Sequence, residues 1–383
     1  MQPAFRPTND LSIVKSFKKE QVYGDYYSNN PPKNQQAKTR NDPSFDLSMF
    51  DATYPKPGPK ELLYPSIMCE DNYTAVNHVT LHGFKNLYDY KYNIFLFLVF
   101  LAIFIVILVG NLLVIVLVSV CQHLKHPMYF FLKNLAISDI LFTSNILPAL
   151  LHIILWGNDH LSITGCILQY YLHSFLAFTQ SFLLTIMSYD RYMAICHPLR
   201  YASVMNTRNC LYLVCFSWIF SYILISSEII FIFQLQFCNS SDIDNFFCDI
   251  AQILEISSSD NSIIIWEDLV ICFLTIFFPF LFVVVSYICI FVTILNISSV
   301  TGRKKAFSTC SSHLVIVCIY YGTLITIYMV PARDNSRNQI KFKSLIYTVL
   351  TPFINPIVYS LRNQEILESL KKLVIKHVRA EKL

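Results

Sequence analysis

The chain has 383 residues and a net charge of +4, with 54% hydrophobic, 15% aromatic and only 14% charged residues. Its mean hydropathy is +0.47, and its charged fraction lies well below the ~25% of a soluble domain, which argues against a water-soluble protein and for a bilayer one. The charge is mild and unevenly spread, so nucleic acid is not an expected partner.

Residues 1–67 are polar, rich in Pro, Asn, Lys and Tyr, and lack an apolar run long enough for a signal peptide. Pro31-Pro32 and Pro55-Lys56-Pro57-Gly58-Pro59 read as linker or disorder. Asn72-Tyr73-Thr74 and Asn239-Ser240-Ser241 match the N-glycosylation acceptor, so Asn72 and Asn239 are expected glycan sites. Asn296-Ile297-Ser298 also matches but falls on the cytoplasmic side of the topology below.

A hydrocarbon core of ~30 Å needs about 20 apolar residues as helix. Seven segments meet that length, near Tyr92–Val118, Met128–Leu155, Cys166–Ile195, Asn209–Phe233, Ile263–Leu295, Lys305–Val330 and Phe342–Leu361. The expected fold is an all-α seven-transmembrane-helix bundle. From Cys166 to Arg191 a helix rises roughly 37 Å, so the two ends of the third segment reach opposite faces. Basic residues of short loops mark the cytoplasmic side. Lys125, Arg200, Arg208, Arg303, Lys304 and Lys305 fall in alternate loops, and Arg362, Lys371, Lys372, Lys376, Arg379 and Lys382 in the tail. The loop after the fourth segment instead holds Asp242, Asp244, Asp249, Glu255 and Asp260 without Lys or Arg. Arg333, Arg337 and Lys341, after the sixth, go against the trend. The balance puts the amino terminus outside and the carboxyl terminus in the cytoplasm. Ile366, Leu367, Leu370, Leu373 and Val374 recur at helical spacing with Lys371, Lys372 and Lys376 between them, which reads as a short amphipathic helix on anionic lipid.

Some polar residues need an explanation. Asp139 lies inside the second segment, where an acid costs ~2.5–3.5 kcal/mol on insertion scales. It should face the bundle, with Asn111, Gln180 and Asn355 as partners, either as a hydrogen-bonded node or around a sodium ion. Ser188-Tyr189-Asp190-Arg191-Tyr192-Met193-Ala194-Ile195-Cys196 sets an acid beside an arginine where the third helix meets water. Pro356 removes a backbone donor from the seventh helix and kinks it.

That acid-arginine string resembles the end of the third membrane helix of odorant receptors, a rhodopsin-like branch of the G-protein-coupled receptors. The resemblance covers roughly residues 68–378. Gly110-Asn111, His126-Pro127-Met128-Tyr129-Phe130-Phe131-Leu132 and Leu135-Ala136-Ile137-Ser138-Asp139 carry it in the first two spans. Ser286-Tyr287, Lys305-Ala306-Phe307-Ser308-Thr309-Cys310-Ser311-Ser312-His313-Leu314 and Asn355-Pro356-Ile357-Val358-Tyr359-Ser360-Leu361-Arg362-Asn363 carry it in the last three. The order and spacing are very specific, and the sixth-span string separates odorant receptors from other rhodopsin-like receptors.

The resemblance implies a plasma-membrane receptor of olfactory cilia that binds a small odorant and activates a stimulatory heterotrimeric G protein, raising cyclic AMP, with no cofactor and no enzymatic activity. It implies that Asp190, Arg191, Tyr192, Tyr287 and Tyr359 form the cytoplasmic switch, the alternative for Arg191 being an interfacial side chain reaching lipid phosphate. It implies a Cys166–Cys248 disulfide. The usual partner of Cys238 would fall near Ser258, so Cys238 is free or pairs with Cys69. Where the family usually carries Glu, Gln180 stands, which weakens the sodium reading. Ligand candidates are His173, Ser174, Ala177, Phe178 and Ser181 on one face of the third helix, Ile271 and Thr275 on the fifth, and Tyr321, Ile325 and Tyr328 on the sixth, with helix packing the alternative for each. His173 stands where amine receptors usually carry Asp, which argues against a biogenic-amine ligand and for a mostly apolar odorant. The family's usual start puts the first methionine at Met68, leaving residues 1–67 as a gene-model extension or a disordered leader. The organisation is then leader 1–67, extracellular segment 68–91, seven-helix domain 92–361 and tail 362–383. The rivals are a metabolite sensor of the same fold outside the nose, and a transporter, for which no internal repeat speaks.

Overall fold

The computed structural model describes residues 76–83, 90–238, 241–328, 337–362 and 366–372. The leader 1–67, Cys69, Asn72 and Asn239 lie outside the described residues.

Long apolar runs become helices because a backbone in lipid must satisfy its polar groups internally. The first two spans are α1 (Tyr90–Val120) and α2 (Pro127–Trp156); Pro127 opens α2 at a position that needs no N–H, and Gly157 (φ 87°) ends it in the left-handed conformation. The third is α3 (Ile163–Cys196), capped by the Ser162 hydroxyl accepting from the Gly165 N–H at 3.0 Å. A short α4 (Pro198–Val204) leads to the fourth span, α5 (Thr207–Ile232), which Asn206 caps. After α6 (Ile250–Ile256) the fifth span runs through α7 (Ser262–Cys272), a π-helical turn (Phe273–Phe277) and α8 (Phe278–Leu295). The sixth is α9 (Val300–Tyr328), and the seventh is α10 (Arg337–Leu345), a second π turn (Ile346–Leu350) and α11 (Thr351–Arg362).

Among the described residues five helices are long and apolar enough to cross a membrane, over Lys91–Val120, Pro127–Trp156, Thr207–Ile232, Ser262–Leu295 and Val300–Ile325. The third span is as long as the longest of these but carries the polar residues of the bundle centre, and the seventh is divided by its π turn. The sixth and seventh helices begin earlier than their apolar runs, at Val300 and Arg337 rather than Lys305 and Phe342. Apolar length marks the lipid crossing, and polar turns continue the helix beyond it.

The fifth-span π turn has an identifiable cause. Pro279 has no N–H for the Thr275 carbonyl four residues back. The Ser181 hydroxyl of α3 donates to that carbonyl at 2.5 Å, tying the third span to the fifth.

α3 is buried along most of its length and packs against the second, fourth, fifth and sixth spans. Leu98, Leu112, Ile219, Ile223, Val285 and Ile288 are exposed on the outer surface, as lipid contact requires. At one end lies a small sheet that sequence patterning did not reveal. Its central strand β1 (His78–His82) pairs antiparallel with β2 (Asn158–Ser162) and parallel with β3 (Asp242–Ile243). Val79 and Leu81 alternate inward and are fully buried. At the opposite end residues 366–372 are helical, with Ile366 buried and Lys371 and Lys372 exposed.

Gly110 lets the first span pass close against Pro356 of the seventh. A Cβ there would lie 2.8 Å from Cβ of Pro356. Gly110→Ala is expected to force the helices apart at a cost of ~1–3 kcal/mol and to lower surface display. Gly322→Ala, where an added Cβ meets nothing within 4 Å, serves as the control. Equal display of both variants would contradict the packing argument.

Candidate functional site

Below the sheet, side chains of α3, the loop after the fourth span (hereafter the second loop, the second on the extracellular side) and the fifth, sixth and seventh spans enclose a cavity of about 40 Å³. The expected His173, Ser174, Ala177, Phe178, Ser181 and Thr275 all line it. The others do not. Ile271 is buried outside the lining, and Ile325 is 37% exposed. Tyr321 touches the site indirectly, its hydroxyl 3.1 Å from the Ser181 hydroxyl. The side chain of Tyr328 lies outside the described residues. Tyr320, one position earlier than Tyr321, takes the lining place and donates to the Ala177 carbonyl at 2.9 Å. Tyr170, Tyr347 and Leu324 complete much of the wall. His173 is fixed among rings, with centroids of Phe142, Phe247 and Tyr347 at 4.9, 5.1 and 5.8 Å.

Two acids also line the cavity, Asp249 from the second loop and Asp268 from α7. Asp249 accepts from the Ile250 N–H at 2.9 Å. Burial pushes its carboxyl up to about 6, the Ile250 hydrogen bond opposing and the charge of Asp268 adding to the rise. Glu228 stands behind the wall in the fourth span, fully buried, accepting from the Tyr170 hydroxyl at 2.9 Å. The sequence reading found no acid on the outer third helix, and that holds, but other elements supply acids to the same space. Asp268 and Glu228 had a legible signal, since each is an ionisable residue inside an apolar span.

Cys166 and Cys248 form a disulfide that ties the start of α3 to the second loop. Cys248 is also held by its N–H, which donates to Gln169 Oε1 at 2.9 Å. Cys238 is disulfide-bonded, so the alternative of a free thiol is corrected; its suggested partner Cys69 lies outside the described residues. Its N–H reaches the hydroxyl of Ser258 at 3.3 Å, so Ser258 does lie beside Cys238.

Lys341, which broke the charge rule, is 1% exposed and turned inward. Its Nζ donates to Asp244 Oδ1 at 2.6 Å and to the Gly83 carbonyl at 2.7 Å. It therefore joins the seventh span, the loop after the fourth span and the end of the amino-terminal strand. Removing one member of a buried pair costs ~3–5 kcal/mol. Lys341→Ala should sharply lower the protein's melting temperature in detergent, whereas Lys341→Met with Asp244→Leu should recover most of the loss. An unchanged Lys341→Ala melting curve would contradict a structural role.

Deeper in the bundle, Gln180 Nε2 donates to Asp139 Oδ1 at 3.1 Å and Asn355 Nδ2 to Oδ2 at 2.9 Å. Asn111 is also buried but donates to the Ile107 carbonyl of its own helix at 3.0 Å, with no hydrogen bond to Asp139. Both carboxylate oxygens face amide N–H donors. That set satisfies an anion, and a sodium ion would need the amides to turn their oxygens inward. The geometry therefore favours the hydrogen-bonded node.

At the end opposite the sheet, Arg191 lies 3.3 Å from Asp190 Oδ2 and also contacts the Met128 sulfur. The Tyr201 hydroxyl donates to Asp190 Oδ1 at 2.8 Å, and burial raises the Tyr201 phenol. Tyr192 pairs with His197 Nε2 at 3.0 Å, on the outside of this cluster. Tyr287 meets His313 Nδ1 of the sixth span at 2.6 Å, with the rings stacked. Tyr359 is buried with its hydroxyl unpartnered, so the two switch tyrosines Tyr287 and Tyr359 share no hydrogen bond in this conformation. His313 was missed as a site residue although its motif was singled out; its pairing with the fifth span depends on helix rotation, which spacing alone does not give.

The family model and the sequence relatives agree on one family. A family model described as olfactory receptor matches residues 100–377. Human olfactory receptor 10A7 is 39% identical over 312 residues, which cover 82% of this chain and 98% of that protein. Human olfactory receptor 10C1 is 42% identical over 310 residues, covering 81% and 99%. The crystal structure of squid rhodopsin superposes with a TM-score of 0.57 at 18% identity, covering 74% of this chain and 85% of that one, which supports the fold. On the match of family model and relatives alike, the chain belongs to the olfactory receptor family.

Proposed function

We propose that this multi-pass plasma-membrane receptor binds a small, mostly apolar odorant in the cavity beneath the sheet and activates a stimulatory heterotrimeric G protein, raising cyclic AMP. One observation carries the reading. The same helix, α3, lines the cavity with His173, Ser174, Ala177, Phe178 and Ser181 and holds Asp190 and Arg191 at its far end. Binding at one end can then shift an inactive–active equilibrium at the other, provided the odorant prefers the active state. The switch comprises Asp190, Arg191, Tyr192, Tyr287 and Tyr359, with His313 as the contact Tyr287 must release.

The enclosed space is smaller than the ~300–1,000 Å³ of ordinary ligand pockets, so the odorant enters a conformation with the walls moved outward. The basic loops and tail support an extracellular amino terminus, which puts Asn72 and Asn239 on the side that is glycosylated; membership of the olfactory receptor family supports display on olfactory cilia, with the seven-helix domain over 92–361. The reading is tested by cyclic AMP in cells displaying the full chain, challenged with a broad odorant panel. A rise absent from undisplaying cells supports it. Silence from a well-displayed receptor, with calcium signalling through a promiscuous G protein instead, would replace the stimulatory partner.

A further inference from the structure

We propose that Cys238 is bridged to Cys69, which clips the amino-terminal segment covalently to the second loop. The inference rests on this end of the bundle being extracellular and on nothing about the ligand or the G protein. Cys238 is disulfide-bonded. The sequence has 12 cysteines. Among the described residues eight are free thiols, and Cys166 and Cys248 are bonded to each other. Cys69 is the cysteine of this chain that remains to hold Cys238.

The neighbourhood of Cys238 points the same way. The Val76 N–H donates to the Phe237 carbonyl at 3.0 Å, so the chain leading into β1 passes beside the residue before Cys238. Cys69 precedes Val76 by seven residues. An extended chain spans at most ~3.3–3.6 Å per residue, so that length is ample to bring the two sulfurs together. On its other side the Cys238 N–H meets the hydroxyl of Ser258 at 3.3 Å, a side chain with no sulfur to offer. The oxidation balances. The two thiols lose two protons and two electrons by thiolate exchange with a protein disulfide of the secretory route, which is reduced to a dithiol. The Cys166–Cys248 bond is made by the same route.

The bridge answers a need of the small sheet. The pairing of β1 with β3 is parallel and short, Thr80 opposite Asp242 and Leu81 opposite Ile243. Parallel pairing is the less stable kind per residue, and so short a ladder does not hold itself in water. The Val76–Phe237 bond and a second one, from the Thr80 N–H to the Ser241 carbonyl at 2.7 Å, lead into it. A covalent link at Cys238 clamps both strands just ahead of that ladder. The stretch of loop from Cys238 to Cys248 is then fixed at its two ends, by one bridge to the amino-terminal segment and by the other to α3. Between them Asp244 is held by Lys341 at 2.6 Å. The sheet and the loop above the cavity therefore move as one piece.

The test is a disulfide map of the full chain, purified from plasma membrane with free thiols blocked by N-ethylmaleimide, then deglycosylated and digested without reduction. The expected product is a Cys69 peptide joined to a Cys238 peptide, which part on reduction. The Cys166–Cys248 link in the same digest is the internal control. In Cys69→Ser, Cys238 should become open to a membrane-impermeant maleimide on intact cells, where the parent is protected. Cys69→Ser, Cys238→Ser and the double variant should lower the melting temperature in detergent by the same amount, because the pair acts as one unit. Cys318→Ser, which removes a free thiol, should leave it unchanged. The map of the parent decides even if a variant is not displayed. Maleimide on Cys238 of the parent beside an intact Cys166–Cys248 link, or a Cys238 link to any cysteine but Cys69, would overturn the proposal and leave the receptor reading standing. Loss of both links would overturn it together with the extracellular placement of this end.

Discussion

Arg191→Ala is expected to cut odorant-evoked G-protein activation by about 30-fold or more, the scale of losing one buried charged contact, while surface display stays near the parent's. The side chain is 9% exposed at the end of α3, held by Asp190 and in contact with Met128. Outward movement of the sixth span would open this region and let the guanidinium turn toward an incoming partner. Display should survive because Asp190 keeps the Tyr201 hydroxyl at 2.8 Å, so the acid is not abandoned. Antibody staining of intact cells and nucleotide exchange on the G protein separate the two effects. Parental signalling from Arg191→Ala would leave the arginine as an interfacial anchor only.

The second large effect is loss of display in Cys248→Ser. The disulfide closes a loop with a sequence separation of 82. In the chain-entropy treatment such a closure contributes about 4.5 kcal/mol. That figure is an upper bound here, since helices that stay inserted in the bilayer already restrict the unfolded chain. A domain's whole stability is only about 5–15 kcal/mol, so the loss is large against it. The bond also positions Asp249, the next residue, and anchors the loop that carries Asp244 to Lys341. Cys166→Ser should match Cys248→Ser, and the double variant should be no worse than either, because the pair acts as one unit. Normal display and odorant response from Cys248→Ser would show that the loop is held without this disulfide.

Much of this was legible in the sequence. Apolar length revealed the helices because lipid leaves the backbone no alternative to internal pairing. The polar node around Asp139 was legible because an intramembrane acid needs partners, and Gln180 and Asn355 are those partners. Asn111 was misplaced because its rotamer, bonded back to Ile107, is not set by spacing. The sheet was hidden because its strands are short and come from segments far apart in the chain. Choosing Tyr321 over Tyr320 was an error of helix rotation by one residue, about 100°. Lys341 looked like a violation of the charge rule because its partner Asp244 lies in another loop. Asp268 and Glu228 were overlooked for a different reason. Neither belongs to a family motif as Asp139 does, yet the general cost of any acid in an apolar span points to all three.

The most direct test of a ligand-gated receptor is nucleotide exchange by a purified stimulatory G protein on proteoliposomes containing the full chain, with and without an odorant that binds it. The account predicts exchange that rises with odorant, saturates with binding and is lost in Arg191→Ala. Exchange that ignores a bound odorant, or that persists in Arg191→Ala, would contradict coupling between the cavity and the Arg191 end of α3.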